Sequence, residues 1–215
     1  MAPVRREAPS IPTARSGGPR HTAGVTRRPP RWLIDVVETL ALTLIAFFVI
    51  QNFIAQPFQV KQTSMETTLE PGQYVLVDKL TPRWSPYQRG DIVVFHPPPG
   101  MEEPDGTPFI KRVIGLPGDK VSIHDDGVYV NGQALEEADY TFHDKAGDAQ
   151  PTTSFGATSD WTVGSDELFV MGDHRLASAD SRTFGPIKVG SVVGRAFLRY
   201  WPASTFGILA RPAYP

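Results

Sequence analysis

A long apolar run, residues 36–56, constrains the fold of this chain more than any other feature of its sequence. A helix that spans a bilayer needs about 20 mostly apolar residues, and this run supplies them with few polar interruptions. Pro57, which cannot continue a helix, follows it. We therefore predict one membrane-spanning helix over residues 32–56. A buried core helix and a cleavable secretory signal are the alternatives, and the large side chains between residues 53 and 58 disfavour cleavage.

Charge is distributed unevenly on the two sides of this helix. Residues 1–31 contain seven arginines and a single acid, Glu7, and their Pro, Gly, Ser and Thr content predicts a disordered basic tail. Because cationic flanks stay in the cytoplasm, we expect the tail inside, one pass through the cell membrane, and an extracytoplasmic domain over residues 57–215. That larger region is acidic, which disfavours nucleic acid as a partner. The chain has no cysteine, which excludes disulfides and thiolate chemistry.

The residues beyond Pro57 have the pattern of a β protein. Short β-branched or aromatic runs between turn residues predict strands at 74–77, 91–95, 109–114, 120–123, 128–130, 167–171 and 191–200. Asp126-Gly127 and Asn131-Gly132 predict hairpin turns, and the polar segment 136–164 predicts an insertion or mobile loop. The expected fold is mainly β, an antiparallel barrel or sandwich with a smaller β subdomain at 121–165.

Ser64, on a loop a few residues beyond the predicted span, is the first candidate for chemistry. A lone serine usually caps a turn, so a nucleophile requires a base nearby. Histidine is the usual base, and of the five histidines His174, in a Gly-Asp-His-Arg segment, is a credible candidate. No two histidines have metal-ligand spacing, so no metal site is expected.

Lys111 is the other candidate base. It lies in the run 109–114, where period-two alternation places Phe109 and Val113 on its own face of a strand. Burial among apolar side chains disfavours the ammonium and lowers the pKa of a lysine by up to ~3–5 units from about 10.4, which makes a neutral amine available. The competing interpretation is an edge-strand lysine whose amine reaches solvent.

Three sequence boxes occur in a fixed order: residues 64–72, Lys111 to Asp119, and Gly172 to Gly185. With the strand at 89–95 they resemble the boxes of bacterial type I signal peptidases, and the resemblance covers about residues 32–202. It implies that Ser64 is the nucleophile, that Lys111 is the general base, and that Ser178 hydrogen-bonds and orients the lysine. Asp180 and Arg182 resemble the ion pair that shapes the site.

Three positions depart from the family pattern. Thr67 stands in the place of a proline, His174 in the place of the commoner asparagine, and Gln62 where some members have a serine or glycine associated with the oxyanion hole. The backbone N–H of Ser64 is the expected oxyanion donor, with Gln62 or Thr63 as a second.

The resemblance also implies what the protein does. It implies a serine endopeptidase that needs no cofactor and removes signal peptides from exported preproteins, after small residues at the first and third positions before the cut. The expected partners are preproteins, the lipid bilayer and the secretion translocon, and the apolar runs 58–60 and 91–95 are expected to line shallow substrate pockets. Two alternatives remain: a self-cleaving repressor, which carries a DNA-binding domain in place of the membrane helix, and a noncatalytic, membrane-tethered β domain that binds peptides.

Overall fold

The computed structural model describes residues 30–214. The first element is helix α1 (Arg31–Val49), which continues as a short π-helical turn (Ile50–Ile54). Residues Arg31–Asn52 have a mean hydropathy of 2.3 and form a helix long and apolar enough to cross a membrane. No residue of α1 is buried, which disfavours the alternative of a core helix.

The helix differs from its predicted boundaries by a few residues. Ala55 and Gln56, predicted as its last residues, belong to the first strand, where Ala55 pairs with Asp78 of the second. Pairing between the strands satisfies backbone groups that a longer helix would have to pair internally. At the other end the helix starts at Arg31, and the rest of the predicted tail, residues 1–29, lies outside the described residues.

The strands within the described part of the chain are β1 (Ala55–Gln59), β2 (Tyr74–Asp78), β3 (Ile92–Phe95), β4 (Phe109–Gly115), β5 (Lys120–His124), β6 (Gly127–Val130), β7 (Gln133–Ala134), β8 (Asp160–Thr162), β9 (Glu167–Met171), β10 (Ile187–Lys188), β11 (Val192–Trp201) and β12 (Gly207–Ile208). A single helical turn, α2 (Ser181–Phe184), precedes β10. Every strand predicted from the sequence is present, and each end lies within one residue of its predicted position.

These strands form two antiparallel sheets. The large sheet has the order β1-β2-β11-β3-β4-β9-β10, with β12 paired to β11, and it curls into an open half-barrel. The smaller sheet, β7-β6-β5-β8, takes its strands from the region predicted as a separate β subdomain. The mainly β antiparallel fold predicted from the sequence is confirmed.

One hairpin turn is displaced by a residue from its predicted position. β5 and β6 pair His124 with Gly127, so the central residues of the turn are Asp125 and Asp126, with φ angles of 50° and 59°. Asp tolerates this left-handed region better than most residues, which allows the glycine to serve as a strand residue instead. The next turn is centred on residues 131–132, as predicted.

β3 and β4 lie at the centre of the large sheet and are buried on both faces. Alternate residues of β3 enter two different apolar clusters, Ile92 and Val94 one of them, Val93 and Phe95 the other. A third cluster packs the smaller sheet against Phe169 of β9. A side chain on β4 is therefore fixed by dense packing on either face, which is what a precisely placed functional group requires.

Candidate active site

Lys111 lies in the middle of β4, opposite Val93 of β3. Lys111 is only 1% exposed, and its amine lies 4.9 Å from the centre of the Phe109 ring. Burial lowers the pKa of Lys111 to about 8 from an ordinary value of 10.5, although the negative charge of Asp180 acts in the opposite direction. The lysine therefore has the buried strand position expected from the sequence, and its amine does not reach solvent.

Ser64 lies in the loop between β1 and β2 and is almost completely buried. Its Oγ is 2.8 Å from Lys111 Nζ, and the amine also donates to the carbonyl oxygen of Ile110 at 3.1 Å. A neutral amine at this distance can accept the proton of the serine hydroxyl. The fold thus brings together two residues that are 47 positions apart in the sequence.

The loop that carries Ser64, residues 62–72, is held against the sheet by two side chains with no exposed surface, Met65 and Leu69. Ser64 lies within a turn that closes with a hydrogen bond of 3.0 Å from the Glu66 N–H to the Thr63 carbonyl oxygen. Apolar burial and this turn together determine the direction in which the serine hydroxyl points.

A buried ionic network joins this loop to β4. Arg112 donates to both carboxylate oxygens of Asp173, at 2.8 Å and 2.6 Å, and Thr68 Oγ1 donates to the same carboxylate at 2.6 Å. Both charged side chains are nearly inaccessible to solvent. Because such paired, charge-assisted bonds have a strict geometry, they fix the loop relative to the strand that carries Lys111. Sequence reasoning assigned no role to these three residues, although an arginine inside an apolar strand is a signal that a buried partner exists.

Asp180 and Arg182 form the ion pair that the resemblance implied. Arg182 donates to Asp180 at 2.9 Å and 2.8 Å, and both side chains are fully buried. Asp180 also accepts the Gly172 N–H at 3.0 Å, and Arg182 donates to the Arg175 carbonyl oxygen at 2.7 Å. Burial alone would raise the pKa of Asp180, but the guanidinium holds it below its ordinary value. The pair therefore pins the two ends of segment 172–182 beside Lys111.

A cleft of ≈ 360 Å³ adjoins Ser64 and Lys111, and its other lining residues are 61–63, Glu103, Phe109, Ala177 and Ala179. Within it, Gln62 Nε2 donates to Glu103 Oε1 at 2.9 Å, so this amide is already engaged. Thr63 is exposed at the cleft. No residue among 30–214 accepts a hydrogen bond from the Ser64 N–H, which leaves that donor available to a ligand.

The profile of the family described as signal peptidase, peptidase S26, matches residues 33–201. The chain belongs to this family. A signal peptidase I from Bacillus caldolyticus is 37% identical over 184 residues, which cover 84% of this chain and 94% of that protein. A signal peptidase I from Leptolyngbya laminosa is 34% identical over 183 residues, 84% of this chain and 85% of that protein. A crystal structure of a signal peptidase I from Enterococcus faecalis V583 has a TM-score of 0.40 and 36% identity, covering 51% of this chain and 95% of that one. The predicted family and the predicted serine endopeptidase class are confirmed.

In this member of the S26 family Ser178 does not make the hydrogen bond that was expected of it. Its Oγ is buried without a hydrogen-bond partner among the described residues, and the Lys111 amine instead faces Ser64 and Ile110. A Cβ built on Gly172 would lie 2.3 Å from Ser178 Oγ and 2.5 Å from the Ser64 carbonyl oxygen. The glycine thus allows both serines to approach one point of the backbone, and the Ser178 hydroxyl lies near the Asp180 carboxylate, whose pKa it helps to lower.

His174, the other candidate base predicted from the sequence, has both ring nitrogens next to groups other than Ser64. Its Nδ1 is 3.0 Å from Glu66 Oε2, and its Nε2 is 3.4 Å from Gln150 Nε2. Because both ring nitrogens face these groups, neither is within hydrogen-bond distance of Ser64 Oγ. The geometry therefore favours Lys111 over His174 as the base.

Proposed function

We propose that this chain removes signal peptides from exported preproteins, with Ser64 as the nucleophile and Lys111 as the general base. The observation that carries the proposal is the 2.8 Å separation between Ser64 Oγ and Lys111 Nζ, both in buried positions beside an open cleft. Membership of the S26 family supports preproteins as the substrates, since the relatives of this chain are signal peptidases.

The reaction is acyl transfer in two stages. Neutral Lys111 takes the hydroxyl proton as Ser64 Oγ attacks the scissile carbonyl carbon, and the ammonium returns that proton to the amine that leaves when the C–N bond breaks. Water then gives a proton to Lys111 and attacks the ester carbonyl. The proton passes back to Ser64 Oγ as the acyl–oxygen bond breaks. The mature protein leaves after the first stage and the signal peptide after the second.

The oxyanion formed in each stage needs hydrogen-bond donors placed in advance. The Ser64 N–H fits this role because no described residue occupies it. The loss of one such donor typically costs ~10²–10³ in kcat. Gln62 would have to release Glu103 before its amide could serve as the second donor, whereas Thr63 is exposed at the cleft.

The size of the binding region supports cleavage after small residues. Next to the main cleft lies an apolar cavity of ≈ 20 Å³, lined by residues that include Phe58, Val60, Val75, Val94 and Ile110. That volume is close to the minimum that holds one water molecule, which favours a small side chain over a large one. Both apolar runs expected to line substrate pockets, 58–60 and 91–95, contribute to this cavity. An extended substrate would lie along the segment that follows edge strand β1.

Membrane anchoring through the N-terminal helix completes the proposal. The helix is long and apolar enough to span a bilayer, and the arginine-rich residues 1–31 orient its N-terminus towards the cytoplasm. Ser64 follows Ile54 by ten residues, so the chain itself keeps the nucleophile within roughly 36 Å of the end of the span. Protease added to intact protoplasts should digest the catalytic domain, and its complete protection would contradict this orientation. Delivery of substrates by the secretion translocon stays a prediction.

A cleavage assay tests the catalytic assignment. Detergent-solubilised protein should convert a purified preprotein to its mature size, with the new N-terminus identified by sequencing. Ser64→Ala and Lys111→Ala should each abolish conversion while Tm stays close to that of the parent. Matched controls on β5, Ser122→Ala and Lys120→Ala, should remain active. A fully active Lys111→Ala protein would contradict the proposed base, and binding of the preprotein without conversion would favour the noncatalytic alternative.

A further inference from the structure

His174 contacts the turn around Ser64 at two separate points. Its backbone N–H donates to the Ser64 carbonyl oxygen at 3.0 Å, and its imidazole Nδ1 lies 3.0 Å from the carboxylate of Glu66, two residues further along. We infer that His174 is a positioning residue for the nucleophile, which acts by holding Glu66 through its Nδ1–H. The inference rests on the proposed role of Ser64.

The hydrogen bonds around the ring assign its proton. The Glu66 carboxylate is solely an acceptor, so Nδ1 carries the hydrogen. Gln150 presents its amide nitrogen to His174 Nε2 at 3.4 Å, while its oxygen faces the Leu176 N–H at 3.4 Å. An amide nitrogen solely donates, so Nε2 is the acceptor. The Nδ1–H tautomer thus satisfies both neighbours.

The segment between β7 and β8 holds the ring in this orientation. Phe142 stacks on the imidazole with 4.1 Å between ring centres and 6° between planes. The same residue donates its N–H to the Asp173 carbonyl oxygen at 3.0 Å, and its own carbonyl oxygen accepts the Gln150 N–H at 3.0 Å. The insertion predicted from the sequence therefore supplies both the stacking partner and the amide that fix the His174 side chain.

Glu66 controls the position of the serine because it is the last residue of the turn. The Glu66 N–H closes that turn on the Thr63 carbonyl oxygen, with Ser64 between them. When the carboxylate loses its partner, the end of the turn can rotate and Ser64 Oγ moves from its 2.8 Å contact with Lys111 Nζ. A displacement of about 1 Å in a catalytic group can cost ~10²-fold in rate. Neither Glu66 nor His174 lines the cleft, so the cost should fall on kcat.

Two substitutions at His174 separate the Nδ1 contact from everything else the ring does. His174→Asn places a side-chain nitrogen at the same number of bonds from Cα as Nδ1, and His174→Gln places one at the position of Nε2. We expect His174→Asn to retain kcat within about threefold, and His174→Gln to lose roughly 10- to 100-fold in kcat with KM within about twofold.

A second histidine in the chain provides the matched control. His124 also faces a carboxylate, Asp125 at 3.0 Å, and also stacks on an aromatic ring, Tyr129 at 3.8 Å, but it lies in the β5–β6 hairpin. His124→Gln should leave kcat unchanged. Glu66→Ala should reproduce the loss of kcat seen in His174→Gln without altering the stacked ring. It therefore provides an independent test if His174→Gln folds poorly.

The double variant gives the decisive outcome. If His174 acts through Glu66, then His174→Gln combined with Glu66→Ala should lose no more kcat than the larger single effect. Additive losses would overturn the inference, as would equal kcat values for His174→Asn and His174→Gln. A fully active Ser64→Ala protein would instead refute the proposed function itself, so the two failures are distinguishable.

Discussion

Acidification below pH 8 should reduce activity in proportion to the loss of neutral Lys111. Burial lowers the pKa of this amine to about 8, so about half of it is neutral at pH 8, about 10% at pH 7 and about 1% at pH 6. At the ordinary value of 10.5 the neutral fraction at pH 7 would be ~0.03%, which makes burial worth ~300-fold in available base at that pH. We expect kcat/KM to fall tenfold for each pH unit below about 7 and to level off above about 9.

The assay measures cleavage of a peptide that has no ionisable side chain titrating between pH 5 and 10. The fall of kcat/KM at low pH, the acid limb of the profile, then reports a group of the free enzyme. Unfolding temperature is followed across the same range, because a fall in activity that tracks unfolding would have another cause. A profile that is flat from pH 6 to 9, or a limb near pH 10.5, would refute the argument that a desolvated lysine is the base.

Glu103 allows the same argument to be tested by a small change in charge. Its carboxylate lines the cleft. Burial, the largest effect, lowers the pKa of Lys111, and the negative charge of Glu103 is one of those that raise it. Glu103→Gln keeps an oxygen acceptor for Gln62 and removes that charge. The acid limb should therefore move to lower pH in this variant, and a move to higher pH would contradict the electrostatic reasoning.

Three further predictions concern Lys111 and the groups around it and Ser64. Lys111→Met should be inactive but more stable than the parent at pH 7 by up to ~3 kcal/mol, because it removes the cost of burying a charged amine. That cost is fully present below pH 8 and disappears as the pH rises towards 10.5, so the gain in Tm should shrink over the same range. Gly172→Ala should lower kcat by ~100-fold, since the added Cβ would lie 2.5 Å from the Ser64 carbonyl oxygen, and single-turnover cleavage would detect it. Arg182→Met should cost about 3–5 kcal/mol of stability by leaving Asp180 buried without its cation, and thermal unfolding should show partial recovery when Asp180→Asn is added.

Sequence reasoning succeeded where a local pattern determines the structure. Period-two alternation around Lys111 placed it on a strand with Phe109 on the same face, and the structure has both residues buried on β4. The abrupt change at Pro57 located the end of the helix to within a few residues. In each case the deciding interactions lie within a few positions of the residue itself, so neighbouring sequence contains the information.

Sequence reasoning failed where interacting residues are distant in the chain. It also failed where a shift of one residue changes the position of a turn. The contact between Glu66 and His174 joins residues 108 positions apart, and no periodicity reports it. Asp126-Gly127 was a sound hairpin signal, yet the turn is centred one residue earlier because Asp125 can also adopt a positive φ. The hydrogen bond implied for Ser178 depends on side-chain placement within a fraction of an ångström, which no sequence pattern specifies.

Two adjacent cations on β4 show why a lysine in this position suits the proposed role of base. Successive residues of a strand point to opposite faces, so Lys111 and Arg112 enter different environments. Arg112 meets the carboxylate of Asp173 at 2.6 Å and remains charged, whereas no carboxylate lies within ion-pair distance of Lys111 among residues 30–214. The nearby Asp180 is already paired with Arg182. Because no direct counter-ion offsets the cost of burying its charge, the pKa of Lys111 is lowered. A guanidinium in that position would stay protonated, so Lys111→Arg should be inactive even if it folds.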